Sequence, residues 1–216
     1  MQHLKKRVTR TRALGLESLN ERGKKIAASV ILILLMSLAG PVFGDSDAQP
    51  IDRAHSTITV YVYKTGILAG LAHNHEIEAP IEWGEVRGSE SSTVELRVDS
   101  SKLRVLDPEI SDRTRAAIQA TLQGPEILDV AHFPEIHFRS TAVERSGTDH
   151  WIVHGNLDLH GQTHSISFEV ALKDGLYQGT SVIKQTGFGI TPVKIAGGAV
   201  KVKDEVKAVF SIALQK

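Results

Sequence analysis

ILDVAHFPEIHFRST, residues Ile127 to Thr141, decides the reading of this chain. Ile127, Leu128 and Val130 form a short apolar knot. Pro134 stops any helix and pushes Phe133 to extended geometry. Beyond it Ile136, Phe138 and Ser140 alternate with His137, Arg139 and Thr141, the period of two that marks a half-buried strand. A segment therefore ends here, tucks its apolar end under a neighbour and launches a strand. From Glu135 to the C-terminus the chain reads as a succession of strands.

Working outward, the spacing downstream predicts strands at Ile136–Val143, Trp151–His160, His164–Leu172, Leu176–Lys184 and Glu205–Leu214. Asp174-Gly175 is a hairpin turn signal. Upstream, Thr57–Tyr63 alternates, with Ile58, Val60 and Val62 on one face and Tyr61 and Tyr63 on the other. Ile81–Val86 and Thr93–Asp99 are two more strands. Between Thr93–Asp99 and the central stretch the period changes. Ser111 is a helix N-cap with Asp112 in the first turn, and Arg115–Gln123 is a helix ended by Gly124-Pro125. About eight strands, one helix and no βαβ rhythm predict an all-β sandwich or barrel. Nothing suggests a second domain or an internal repeat.

The chain has 216 residues and no cysteine, so its stability rests on a hydrophobic core rather than on disulfides. Its formal net charge of zero hides an asymmetry. Residues 1–44 carry eight Lys/Arg against two Asp/Glu, which leaves 17 against 23 in residues 45–216, a net charge of −6. An acidic body is a poor binder of nucleic acid or anionic membrane. Lys24 and Lys25 precede the apolar run Ile26–Gly40, Pro41 breaks it, and Val42-Phe43-Gly44 resembles a cleavage site. The expectation is a secretory signal peptide over 1–44, cut after Gly44. The apolar run is shorter than the about 20 residues a membrane-spanning helix needs. A polar leader, 45–50, and one domain, 51–216, would then make up the mature periplasmic or secreted form, with no membrane span.

Five short motifs, in order, resemble the YceI-like family of bacterial secreted proteins. They are Ile51-Asp52-Arg53-Ala54-His55-Ser56-Thr57, Leu128-Asp129-Val130 with Phe133–Thr141, Gly155–Gly161, Phe188-Gly189-Ile190, and Val202–Val206. Ala72-His73-Asn74-His75 looks like a divergent subgroup, and Gly187 stands where the family usually has an acidic residue. The resemblance implies an antiparallel, eight-stranded, lipocalin-like barrel with one short helix. It also implies an apolar interior that holds a long-chain isoprenoid lipid, so that the protein would be a carrier or scavenger. No other cofactor is expected.

If Ile58, Val60 and Val62 face inward, alternation carries Val94, Leu96 and Val98, Phe138, Leu157 and Leu159, Phe168 and Val170, and Phe210 and Ile212 with them. Ile58, Val60, Val62, Leu96, Phe138, Leu159, Phe168, Val170 and Phe210 are thus the candidate ligand-binding wall. A lipid-binding barrel could also use Tyr61, Tyr63, Trp83 or Trp151 as lining. His160, before Gly161, has two readings: a hydrogen bond to a turn backbone, or a contact with a lipid headgroup. His73 and His75 stand two apart and share a face if extended, so an alternative is a periplasmic metal-binding or stress protein. Zinc wants three or four protein ligands, and the sequence nominates no third. The simpler reading has these histidines hydrogen-bonding at a barrel mouth or lining a ligand's polar end. No nucleophile sits in a placing motif with a base and an orienting acid, so an enzyme is not expected.

Overall fold

The alternation at Thr57–Tyr63 belongs to a longer strand. In the computed structural model, which describes residues 48–67, 74–88 and 92–215, β1 runs over Ala48–Thr65. Ten more strands complete the set: β2 (His75–Glu78), β3 (Ile81–Arg87), β4 (Thr93–Asp99), β5 (Arg104–Val105), β6 (Glu135–Gly147), β7 (His150–Leu159), β8 (Gln162–Lys173), β9 (Leu176–Lys184), β10 (Lys194–Ile195) and β11 (Val200–Leu214). The helix α1, Asp112–Gln123, lies between β5 and β6. Residues 1–44, read as a signal peptide, lie outside the described residues. The segment read as a leader differs in part, because Ala48, Gln49 and Pro50 pair with Arg87, Val86 and Glu85.

Neighbouring strands are antiparallel and run β1-β3-β4-β6-β7-β8-β9-β11, and β11 returns to β1. These eight strands close the expected barrel. Closure removes the exposed sheet edges that an open antiparallel sheet would carry. The sequence did not announce β2, β5 and β10. β2 continues β3 past the Ala79-Pro80 break and pairs with Thr59–Val62 of β1, β5 pairs with β2, and β10 with β11.

Local chemistry sets the turns. His160-Gly161 and Asp174-Gly175 have φ of +52° and +70°, and +53° and +78°, the left-handed pair that a two-residue hairpin needs. The motif around Asp52 builds a bulge, where the β1–β11 register shifts between Asp52 and Thr57. The Asp52 carboxylate accepts from the Ala54 N–H at 3.0 Å and pairs with His55 Nδ1 at 2.8 Å. The Ser56 hydroxyl donates to the Asp52 carbonyl oxygen and accepts from the Ala213 N–H.

One end of the barrel is plugged. Ser111 Oγ accepts from the Thr114 N–H at 3.2 Å, capping α1 as the sequence predicts. The helix inserts Leu122, and the chain then folds back so that Leu128 joins it. Around them pack Ile77, Val98, Leu103, Val105, Leu159, Phe188 and Ile190, all buried. Each such side chain contributes about 1.5–3 kcal/mol of burial. Ser100, 1% exposed, ties the central stretch to this plug: its hydroxyl donates to the Phe133 carbonyl and its N–H to that of Pro134, both at 2.8 Å.

Candidate functional site

Inward side chains near the plug touch one another, whereas those nearer the hairpins enclose a cavity of about 310 Å³. Small residues on the inward face leave it open. Gly155 of β7 and Gly179 of β9 present no side chain. An added Cβ would lie 2.4 Å from Cζ of Phe138 at Gly155, and 2.4 Å from Cζ of Phe210 at Gly179. The two rings therefore fold flat against the wall. Phe168, on β8, sits between them, with its centroid 5.4 Å from each. Such pairs add about 0.5–1.5 kcal/mol apiece beyond burial. Ser181 and Ala208, opposite each other on β9 and β11, widen the lumen further.

The lining contains no Asp, Glu, Lys, Arg or His. Its polar atoms come from Ser92, Ser181, the Tyr177 hydroxyl and the Trp151 indole. Trp151 and Tyr177 stack at 5.7 Å where the β6–β7 and β8–β9 hairpins turn. These two rings lie at the end of the lumen opposite the plug.

Of the residues named from sequence, Ile58, Val60, Leu96, Phe138, Phe168, Val170 and Phe210 line the cavity, as do Val94, Leu157 and Ile212. Val62, Leu159 and Val98 face inward but belong to the plug. Alternation assigns the face of a strand and is silent about height along it. Tyr61 and Tyr63 fall on the opposite face of β1, and Lys203 Nζ lies 5.9 Å from the Tyr63 ring. Trp83 is 39% exposed, with Arg97 stacked 5.2 Å away.

His160 is at the plugged end, remote from the lumen. Its Nδ1–H donates to the Phe188 carbonyl oxygen at 3.1 Å, and its ring packs on Phe133 with centroids 4.7 Å apart. The Phe-Pro, His-Gly and Phe-Gly-Ile motifs thus meet at one structural joint. The partner is a turn backbone, but of a different turn from its own.

His73 lies outside the described residues. His75 Nδ1 is 2.6 Å from Oδ2 of Asp107, which is 1% exposed and also accepts from the Glu76 N–H. The pair fastens β2 to the loop before α1. Among the described residues no three His, Asp or Glu side chains are grouped as metal ligands, and no helix is long and apolar enough to cross a membrane.

Trp151, named from sequence as possible lining, is in the wall, whereas sequence reasoning missed Ile51, Ile166, Tyr177, Ser181, Val206 and Ala208. Val206 and Ala208 share the period of Phe210 and Ile212, and that signal could have found them. The inward set of β9, Tyr177-Gly179-Ser181-Ile183, is half small and polar, and hides its face.

The profile of the YceI-like domain matches residues 50–214. Among solved structures, Burkholderia cenocepacia BcnA aligns with a TM-score of 0.61 at 16% identity, covering 77% of this chain and 99% of its own. A polyisoprenoid binding domain from Saccharophagus degradans, implicated in plant cell wall breakdown, aligns at 0.50 and 13% identity, covering 77% and 97%. A Campylobacter jejuni YCEI protein gives 0.42 at 15% identity over 57% and 72%. No curated protein sequence matches significantly. At these identities the likeness to solved structures is one of fold.

Proposed function

Since the chain belongs to the YceI-like domain family, we propose that its barrel is a binding protein for an apolar, isoprenoid-like lipid, exported to the periplasm or beyond and acting as a carrier or scavenger. The observation that carries this reading is the lumen itself: about 310 Å³, with no ionised side chain in its wall. An apolar tail placed there gains about 0.8 kcal/mol for each CH₂ removed from water. A charged solute would meet no compensating group. The Saccharophagus domain, described as polyisoprenoid binding, supports the ligand class. The volume is at the lower end of the roughly 300–1,000 Å³ of small-molecule pockets. A long polyprenyl chain would therefore be held by part of its length, with the remainder leaving past Trp151 and Tyr177.

Binding accounts for this site without catalysis, because the lining offers no nucleophile paired with a base. The metal-binding alternative has no ligand set to support it among the described residues, where His75 is grouped with no two further His, Asp or Glu side chains that could share a metal.

Mass spectrometry of organic extracts from gently purified protein tests the reading. An isoprenoid-like lipid at near-stoichiometric level is expected, together with retention of a fluorescent polyprenyl probe by the emptied protein. Protein that carries no lipid and never binds the probe would refute it. Export is tested separately by N-terminal sequencing of the periplasmic fraction, which should begin near Asp45. A membrane-sedimenting form that starts at Met1 would sink that part.

A further inference from the structure

Ser181 stands out in the cavity wall. It is 8% exposed, and its Oγ is the buried side-chain polar atom left without a hydrogen-bond partner among the described residues. Buried hydroxyls in native proteins are paired almost without exception. The wall itself obeys that rule elsewhere: Ser140, inward and buried on β6, accepts from the Val94 N–H at 2.7 Å. Ser181 lines the lumen between Gly179 and Ile183, opposite Ala208. Ile183 touches the plug, so the unpaired hydroxyl belongs to the inner half of the lumen, away from Trp151 and Tyr177.

A second observation marks the same spot. β7 and β8 pair from one hairpin to the next, and β9 pairs with β11 down to Lys184. β8 and β9 pair only over Val170–Lys173 with Leu176–Gly179. Below Gly179 the ladder between them stops. Thr180–Lys184 of β9 therefore has a strand partner on its β11 side only. Ser181 sits in this lapse, four residues along β9 from Tyr177, with Ile183 beyond it on the plug side.

We infer that the ligand of the barrel carries one neutral oxygen, a hydroxyl or carbonyl, at the end that lies deepest, and that Ser181 Oγ receives it. This inference rests on the lipid-binding reading and adds polarity and direction to it: the molecule enters oxygen first, with its hydrocarbon trailing toward the hairpins. The oxygen is neutral because the lining holds no cation. An ionised carboxylate or phosphate at Ser181 would be a buried charge with one hydroxyl for company. A serine hydroxyl both donates and accepts, so it serves an alcohol or a ketone equally.

Three matched probes separate the possibilities: farnesol, the hydrocarbon farnesene, and farnesoic acid. Each displaces a fluorescent apolar probe from the delipidated full-length domain at neutral pH. Wild type should prefer farnesol to farnesene by roughly three- to tenfold, the worth of one hydrogen bond, and should bind the ionised acid more weakly than the alcohol. Ser181→Ala should erase the preference, so that farnesol and farnesene bind equally. Ser181→Thr, which keeps the hydroxyl, should retain it. A wild type indifferent to the terminal oxygen, or a preference that survives Ser181→Ala, would overturn the inference while leaving a lipid cavity in place. Retention of none of the probes would overturn the lipid reading itself, and this inference with it.

Discussion

The Nδ1–H of His160 donates to the carbonyl oxygen of Phe188 across 3.1 Å, so the β7–β8 turn and the helical turn before Gly189 form one joint. Phe133 closes it from the other side, 2.5 Å from where a Cβ on Gly161 would lie. Three segments distant in sequence are therefore held by one imidazole at the plugged end. His160→Ala removes the hydrogen bond and the ring packing and leaves the Phe188 carbonyl without its partner. A loss of about 2–3 kcal/mol in urea denaturation is expected, with probe affinity unchanged, because the ring lies outside the lumen. His160→Asn, better suited to the positive φ, should lose less than His160→Ala. A His160→Ala variant of full stability that fails to bind the probe would restore the headgroup role.

The flat stacking of Phe138 predicts a coupling. Gly155→Ala places a Cβ against that ring and 2.6 Å from the Arg139 carbonyl oxygen, and should cost about 1–3 kcal/mol. Phe138→Leu in the same chain should recover part of that loss, since the ring can no longer clash. Additive losses in the double-mutant cycle would mean that the strand backbone, and not the ring, is what glycine accommodates.

Ala208 offers the cleanest way to fill the lumen, because its side chain is small, faces the cavity and opposes Ser181. Ala208→Phe is expected to weaken the polyprenyl probe at least tenfold while changing unfolding free energy by less than about 1.5 kcal/mol. A close-packed interior would instead be overpacked by about 1–3 kcal/mol. Strong destabilisation with unaltered probe binding would show that the probe sits elsewhere.

Acid should destabilise the domain through identifiable carboxylates. Asp204 is held below the ordinary carboxylate range by the Thr186 N–H, at 2.8 Å, and then by the Thr186 hydroxyl, at 2.7 Å. The hydrogen bond from His55 does the same for Asp52, and those from Ser101 for Asp99. In each case the folded value lies under the unfolded one, so the folded state binds fewer protons. The stabilisation is complete above the unfolded value, about 3.9 for Asp, and drains away as pH falls through the folded values. Thermal melts across pH should show Tm dropping below about pH 4. Asp204→Asn should lower Tm at pH 7 and flatten the acid limb. An acid limb identical to wild type would remove Asp204 from this account.

Much of the barrel was legible because alternation and turn chemistry agree. β4 and β9 fall on the spans that the pattern of Thr93–Asp99 and Leu176–Lys184 gives, and the Ser111 cap is where a serine before a helical period should be. β5 was not legible: two residues, Arg104 and Val105, carry no period and exist as a strand only because β2 is beside them. Within the candidate site, the inward faces could be read and the floor could not. Leu159 and Val62 follow the same rhythm as Leu157 and Val60, yet only the second pair lines the cavity, and Leu159 is buried in the cluster that α1 and Leu128 build. That boundary is set by how far a helix from another part of the chain intrudes.

The seam between β1 and β11 governs when the lumen comes into being. Ile51 meets Leu214 and Val62 meets Val206, so the domain's opening strand waits for its closing one. The hairpins β6–β7, β7–β8 and β8–β9 are local and can form quickly, whereas a first-to-last pairing must bear the entropy of the whole intervening loop. A growing or threading chain therefore has walls before it has an inside. On the lipid-binding reading, a ligand would then be taken up by the finished molecule, in whichever compartment its last strand arrives.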